Sequence, residues 1–166
     1  MRTEGHLRFI DEGGIPALRE FARPIWRHTF YPLMDARSAD YIFDSWVSVA
    51  HLGEMMSQGY RMGYILENGE DVGWFAFLIG PDGMLLISKL YLRPEFQHRG
   101  IGSRTLNEIM ELARGEGATY AYLYVFRGNE KAQGTYVRNG FTEIRREFEQ
   151  LAEGVVRDDI VFGRDL

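Results

Sequence analysis

The 166-residue chain contains no cysteine, which excludes disulfides, thiolate metal sites and an acyl-cysteine intermediate. Its four histidines show no metal-ligand spacing, and no metal is expected. No apolar stretch approaches the ~20 residues needed to cross a bilayer. Arg2, Glu4, His6 and Arg8 stand where a leader peptide would need an apolar core. The expectation is therefore a cytoplasmic protein with no membrane partner. A formal net charge of −5 leaves no basic footprint for nucleic acid, and it suits a cationic amine substrate as well as it suits ordinary solubility. Linkers, internal repeats and low-complexity tracts are also missing. With 45% hydrophobic and 14% aromatic residues, the reading is one domain over residues 1–166 with a sizeable core.

What the chain does have is concentrated between Met84 and Arg114. Met84, Leu85, Leu86, Ile87, Leu90, Tyr91 and Leu92 form a strand-length run. Pro94 forbids its extension, and Leu106, Ile109, Met110 and Ala113 then recur at helical spacing. The loop from Gln97 to Gly102 thus joins a strand to a helix N-terminus. The first N–H groups of a helix lack intrahelical acceptors and carry the positive end of the macrodipole, so such a junction binds anions, phosphates above all. Gly100 and Gly102 remove side-chain bulk and permit unusual dihedrals. Ser103 adds a hydroxyl, and Arg99 and Arg104 add positive charge. Hydrogen bonds to a charged group are worth roughly 1.5–3 kcal/mol each, so three or four could hold a pyrophosphate without metal.

Two better-known phosphate loops are excluded. A dinucleotide fingerprint needs a third Gly or Ala where this chain has Thr105, and a nucleotide P-loop needs Gly-Lys-Ser/Thr, which does not occur. Gln97, Arg99, Gly100 and Gly102 instead read Q-x-R-G-x-G after a strand ending in LYLRP. Downstream, Asn129, Ala132, Tyr136, Gly140 and Phe141 read N-x-x-A-x-x-x-Y-x-x-x-G-F. Together, in this order, the two segments resemble the signatures of the GCN5-related N-acetyltransferase (GNAT) superfamily.

The rest of the chain is read by periodicity. His6 to Asp11 alternates as a short first strand. Ile15, Leu18, Phe21, Ala22, Ile25 and Trp26 share a helical face, with Pro24 expected to kink or end that helix. Ser38 is taken as the N-cap of a second helix through Ile42, Phe43, Trp46, Val47 and Ala50, with a further turn ending at Gly59. From Arg61 the period becomes two. Asn68-Gly69 and Pro81-Asp82-Gly83 mark turns between three antiparallel strands. Thr119 to Phe126 is the second strand of a crossover unit, parallel to the Met84 strand. A helix from Glu130 to Arg138 and a closing hairpin, Phe141 to Leu151 and Val155 to Phe162, complete the order.

This order matches what the resemblance implies: an α+β GNAT-like fold with a mixed, mostly antiparallel sheet of about seven strands, splayed in the middle, and helices on both faces. It also implies an acyl-CoA-dependent N-acyltransferase, moving acetyl from acetyl-CoA to a primary amine, of a small molecule or a protein, by direct transfer in a ternary complex. By the same resemblance, main-chain groups of Leu90, Tyr91 and Leu92 pair with the pantetheine arm, and those of Leu90 or Tyr91 polarise the thioester. The stretch from Gln97 through His98, Arg99, Gly100, Ile101 and Gly102 to Ser103 holds the pyrophosphate. Asn129 touches the pantetheine, Ala132 lets it lie against the helix, and Tyr136 is the general acid for the departing thiolate. Read without the resemblance, Asn129 can simply cap its helix, and Tyr136 can be a core aromatic beside Phe141.

No motif marks a general base. Glu54, His28, His51, Asp71 and Glu70 are the candidates. His98, inside the phosphate loop, is a poor one. Trp26, Tyr31, Trp46 and Trp74 suit either an acceptor pocket or the core. The acceptor, and a homodimer through terminal strands as in relatives, are left open. The rival readings are a non-catalytic acyl-CoA-binding or sensor module and a mixed domain whose loop binds no nucleotide.

Overall fold

The computed structural model describes residues 2–166. One sheet of eight strands runs through them: β1 (Arg2–Glu4), β2 (Leu7–Phe9), β3 (Arg61–Glu67), β4 (Glu70–Ile79), β5 (Met84–Leu92), β6 (Tyr120–Phe126), β7 (Thr142–Ala152) and β8 (Val155–Asp165), in the spatial order β1-β2-β3-β4-β5-β6-β8-β7. Every neighbouring pair is antiparallel except β5 and β6. The eighth strand arises at the start, where the expected single strand is a hairpin reversing at Gly5.

Five helices cover both faces. On one side lie α1 (Ile15–Phe30), α2 (Ala36–Trp46) and α3 (Val49–Ser57), and on the other α4 (Ile101–Gly115) and α5 (Glu130–Arg138). Alternation along the strands sorts the core into two layers. Phe75, Phe77, Leu85, Ile87 and Leu123 pack against Leu106, Ile109 and Met110 of α4. Trp74, Ala76, Met62 and Tyr64 pack against Leu18, Ala22, Ile25 and Trp26 of α1.

Two expectations are corrected in the helical region. Pro24 does not end α1, which continues to Phe30. The carbonyl freed by proline's missing N–H is that of Glu20, four residues back, and both residues are solvent-exposed, so water can satisfy it. Beyond Pro24 the helix is pinned by the Trp26 indole N–H, which donates to the Ala39 carbonyl at 2.9 Å. Ser38 is not an N-cap. Asp35 caps α2, accepting from the Ser38 N–H at 2.9 Å and the Ser38 hydroxyl at 2.8 Å, and so satisfies a donor in the first turn. Ser48 caps α3 in the same way through the His51 N–H.

The α2 helix also grips the tip of the β7–β8 hairpin. The Arg37 guanidinium donates to the Glu153 carbonyl at 2.8 Å, and the Tyr41 hydroxyl to the Leu151 carbonyl at 3.4 Å. This contact fixes the wall of the molecule that faces α1 and α3.

Candidate active site

The sheet opens between its two parallel strands. β5 pairs with β6 only from Met84 to Ile87, opposite Tyr120 to Leu123. Beyond that point β5 stays with β4 and β6 stays with β8. A bulge marks the divergence: Phe77 faces Ile87 and Ala76 faces Lys89, so Ser88 has no partner on β4. One extra residue bends a strand and increases its twist. Main-chain groups on the free side of Ser88 to Leu92 therefore face a cleft instead of a strand, and they need other partners.

That cleft has a volume of about 660 Å³. Leu90, Tyr91 and Leu92 form one wall, Val125 and Phe126 the other, and the loop from Gln97 to Ser103 closes one end with Asn129, Ala132 and Tyr136 of α5 and its cap. Phe30, at the end of α1, lies across the opening with its ring 6.1 Å from Tyr91 and 6.5 Å from Phe126.

At the loop, the main-chain N–H groups from His98 through Ser103 have no acceptor among the described residues; intrahelical bonding begins with Arg104 N–H to the Gly100 carbonyl at 3.0 Å. These donors are aimed by unusual dihedrals. Gly100 sits at φ +79° and His98 at φ +62°. A β-carbon at Gly100 would meet no protein atom within 4 Å, so the space in front of it is open to an anion. Gln97 is held by its side-chain amide, which donates to the Leu92 carbonyl at 3.2 Å. The Ser103 hydroxyl accepts from the Asn139 amide at 3.0 Å. A diphosphate fits this unsatisfied row of donors on both charge and access.

The arginines behave differently from expectation. Arg99 stacks on Phe96 and, with Ile101, borders a separate recess beside Glu67 and Glu70. Arg104 turns back to Glu67 and to the Leu66 carbonyl at 2.8 Å. Neither guanidinium lines the cleft, because the acidic β3–β4 turn captures that side of the helix end. The Ile101 side chain is core, leaving only its N–H to the loop. The cations that do border the cleft are Lys131 and Arg138 of α5, and no sequence signal distinguished them from ordinary surface charge.

Asn129 is both a helix cap and a lining residue of the cleft. Its side chain caps α5 by accepting from the Ala132 N–H at 3.3 Å, and it borders the cleft. Tyr136 likewise packs edge-on against Phe141, with centroids 6.0 Å apart, while lining the cleft. Its hydroxyl has no hydrogen bond among the described residues. Burial pushes its pKa up to about 12, so Tyr136 is a neutral donor at physiological pH.

Among the base candidates, Asp71 is paired with Arg8 and Glu70 with Arg93, away from the cleft. Glu54 is exposed, and only His28 borders the cleft. His51 lies on the α3 side, its pKa lowered by burial and then by the charge of Lys89. Trp26 and Trp74 are core, Trp74 stacked on Tyr91 at 5.6 Å. Tyr31 is exposed and bonded to Asp40 at 2.7 Å. Two ionisable groups, one buried and one partly buried, escaped the sequence reading. They are Lys89, next to the bulge, and Asp159 on β8, whose burial raises its carboxyl pKa. Among the described residues no group of three His, Asp or Glu side chains could hold a metal, and no helix is long and apolar enough to cross a membrane.

Comparison with known proteins accounts for this geometry. A family profile described as "Acetyltransferase (GNAT) family" matches residues 15–141. The chain belongs to the GNAT acetyltransferase family. Like a spermidine N(1)-acetyltransferase from Thermoplasma acidophilum, to which it is 29% identical over 148 residues (81% of this chain, 86% of that protein), this GNAT protein is an acetyl-CoA-dependent N-acetyltransferase. In fold it is similar to the PaiA N-acetyltransferase of the same organism, solved in complex with coenzyme A, at a TM-score of 0.77 and 22% identity over 100% of both chains. It is also similar to a GCN5-related N-acetyltransferase from Rhodopseudomonas palustris, at a TM-score of 0.78 and 16% identity over 100% and 98% of the two chains.

Proposed function

We propose that the described chain works as one N-acetyltransferase unit in which the splayed cleft holds acetyl-CoA and passes the acetyl group directly to a primary amine. The observation that carries this assignment of the cleft is the row of unsatisfied N–H groups from His98 to Ser103 at its mouth. These groups take the pyrophosphate, with Lys131 and Arg138 adding positive charge. Bound there, the donor supplies an acetyl group activated as a thioester. The free main-chain edge at Leu90, Tyr91 and Leu92 holds the pantetheine arm. An N–H from this edge aimed at the developing oxyanion stabilises it where water is excluded by Phe30, Tyr91 and Phe126. Asn129 and Ala132 seat the arm against α5.

Tyr136 donates a hydrogen bond to the departing sulfur. Against a thiol of pKa ~8.5, full proton transfer from a phenol near 12 is uphill by about 5 kcal/mol. Tyr136 thus acts chiefly as a hydrogen-bond donor; the acceptor nitrogen gives up a proton as the amide forms and the C–S bond breaks, and solvent at the cleft mouth carries a proton back to the departing thiolate. With no cysteine in the chain, there is no thiol to carry the acetyl group between donor and acceptor.

The spermidine-acetylating relative makes a polyamine one acceptor to test, and amino acids and protein N-termini are others. Free edge strand β7 exposes Ile144 and Phe148, the latter 69% accessible, which supports pairing with a second copy. Light scattering checks it. The functional test is thiol release from acetyl-CoA in the presence of amines. A thiol-reactive dye reads only coenzyme A in a cysteine-free protein. Amine-dependent release that disappears with blocked α5 or loop contacts supports the reading. Tight coenzyme A binding with no release over a broad amine panel would favour a sensor instead.

A further inference from the structure

The chain carries seventeen arginines and only two lysines, Lys89 and Lys131. Lys131 is exposed at the cleft rim. Lys89 is only 8% accessible, more than nine-tenths buried. It lies on β5 two residues past the last pair with β6, directly after the bulge, and its chain neighbours Ser88 and Leu90 both border the cleft. Its ammonium stands 6.0 Å from the centre of the Trp46 ring and makes no hydrogen bond or ion pair among the described residues.

An ammonium at the end of so buried a side chain, with none of its three donors used by the protein, is costly to hold. The groups that face it are few: Trp46 at the end of α2, His51 on α3 and Asp159 on β8. Asp159 attracts Lys89 without touching it. That carboxylate is held by Arg157 at 3.4 Å, and Arg157 in turn reaches Glu149 at 3.3 Å and Glu147 at 3.7 Å. Asp159 therefore has its own counter-ion and Lys89 has none. The unmatched charge lies on the face of the sheet covered by α1, α2 and α3, opposite the face that carries α4. Tyr91, which borders the cleft, packs on this same face.

We infer that Lys89 is the receptor for a carboxylate on the acceptor, so that the amine acetylated here belongs to a molecule of the amino-acid class, with Trp46 as its apolar wall. This rests on the reading of the cleft as an acetyl-transfer site. A single ammonium flanked by a carboxylate suits one carboxylate. It is a poor site for a phosphate, which would need more donors and would meet Asp159, and it repels a polyamine.

The test uses matched acceptors: α- and ω-amino acids, their carboxamides, and spermidine. In thermal unfolding of the protein with coenzyme A bound, the best amino acid should raise the midpoint of wild type, its carboxamide should not, and Lys89→Met should abolish the difference. This readout does not need acetyl transfer. In thiol release from acetyl-CoA, wild type should favour the amino acid over its carboxamide at least tenfold in kcat/KM. Lys89→Met should raise KM for the amino acid tenfold or more, with kcat falling less than threefold. Calorimetry with coenzyme A confirms that the variant is folded and loaded. Equal stabilisation by acid and carboxamide, preference for spermidine, or an equal fall of kcat on every acceptor in Lys89→Met would overturn the inference. Carboxylate-dependent stabilisation with no thiol release would leave Lys89 as a receptor and refute the transfer reading alone.

Discussion

Replacing Lys89 by methionine should stabilise the protein in a way that depends on pH. Burial lowers the Lys89 pKa from 10.5 to about 8. Every tenfold loss of proton affinity corresponds to about 1.4 kcal/mol, so holding this ammonium costs the folded state about 3 kcal/mol. Below pH 8 both folded and unfolded chains carry the proton, and the whole penalty is present. Between pH 8 and 10.5 the unfolded chain still binds a proton that the folded chain has released, so wild-type stability recovers as pH rises. Above 10.5 the penalty is gone. Methionine has similar length and no charge, but it forfeits the contact with Trp46, worth about 0.5–2 kcal/mol. The variant should therefore be more stable than wild type at pH 7 by about 1–2 kcal/mol. Its advantage should shrink by about 3 kcal/mol by pH 10.5, leaving it the less stable of the two. Urea unfolding of both proteins at pH 7, 9 and 10.5 measures this. Tyrosines and arginines titrate alike in the two and cancel in the difference. A difference that stays flat within about 1 kcal/mol across that range would show that the ammonium is solvated, and the case for Lys89 as a receptor would fall with it.

Tyr136→Phe should lower kcat by roughly 10- to 150-fold, the ~1.5–3 kcal/mol of a hydrogen bond to a charged group, with coenzyme A affinity unchanged by calorimetry; normal turnover would reject the hydrogen-bond role. Gly100→Ala forces a β-carbon onto a residue at φ +79°, costing about 1–2 kcal/mol, and places a methyl in the anion space. Urea unfolding should show the loss, and coenzyme A binding should weaken tenfold or more. Gly63→Ala would put a β-carbon 1.9 Å from the Arg8 carbonyl oxygen. It should separate β2 from β3 and cost about 3 kcal/mol; a thermal midpoint within about 2 °C of wild type would contradict the register.

The donor end of the site is legible in the amino-acid order because it consists of main chain. A strand that stops at Pro94 and a helix that starts after Gly100 create the unsatisfied donors whatever the side chains are, and only the glycines must be spelled out. Strand alternation and the Asn68-Gly69 turn give the antiparallel half of the sheet for the same local reason. Features that depend on partners distant in sequence are not legible. Pro24 reads as a helix breaker until Glu20 is known to face water. Arg99 and Arg104 read as positive charge at the end of the loop, and their side-chain neighbours Phe96 and Glu67 are not legible until the fold brings them together. The Ser88 bulge leaves no mark in composition. Lys89 and Asp159 come into each other's field only because β8 inserts next to β6, so neither looks different from a surface charge. Sequence thus marks the loop of free main-chain donors and is silent on the groups that would meet an acceptor.

The difference between the two ends has a further consequence. A grip built from peptide N–H groups has no side-chain identity to lose, so most substitutions along the loop leave its donors in place. The acceptor side, assembled from Lys89, Trp46, His51 and Asp159 on four separate elements, changes character with any one of them. Such a scaffold can be retargeted to a new amine by a few exchanges at one face, while its fuel supply stays untouched.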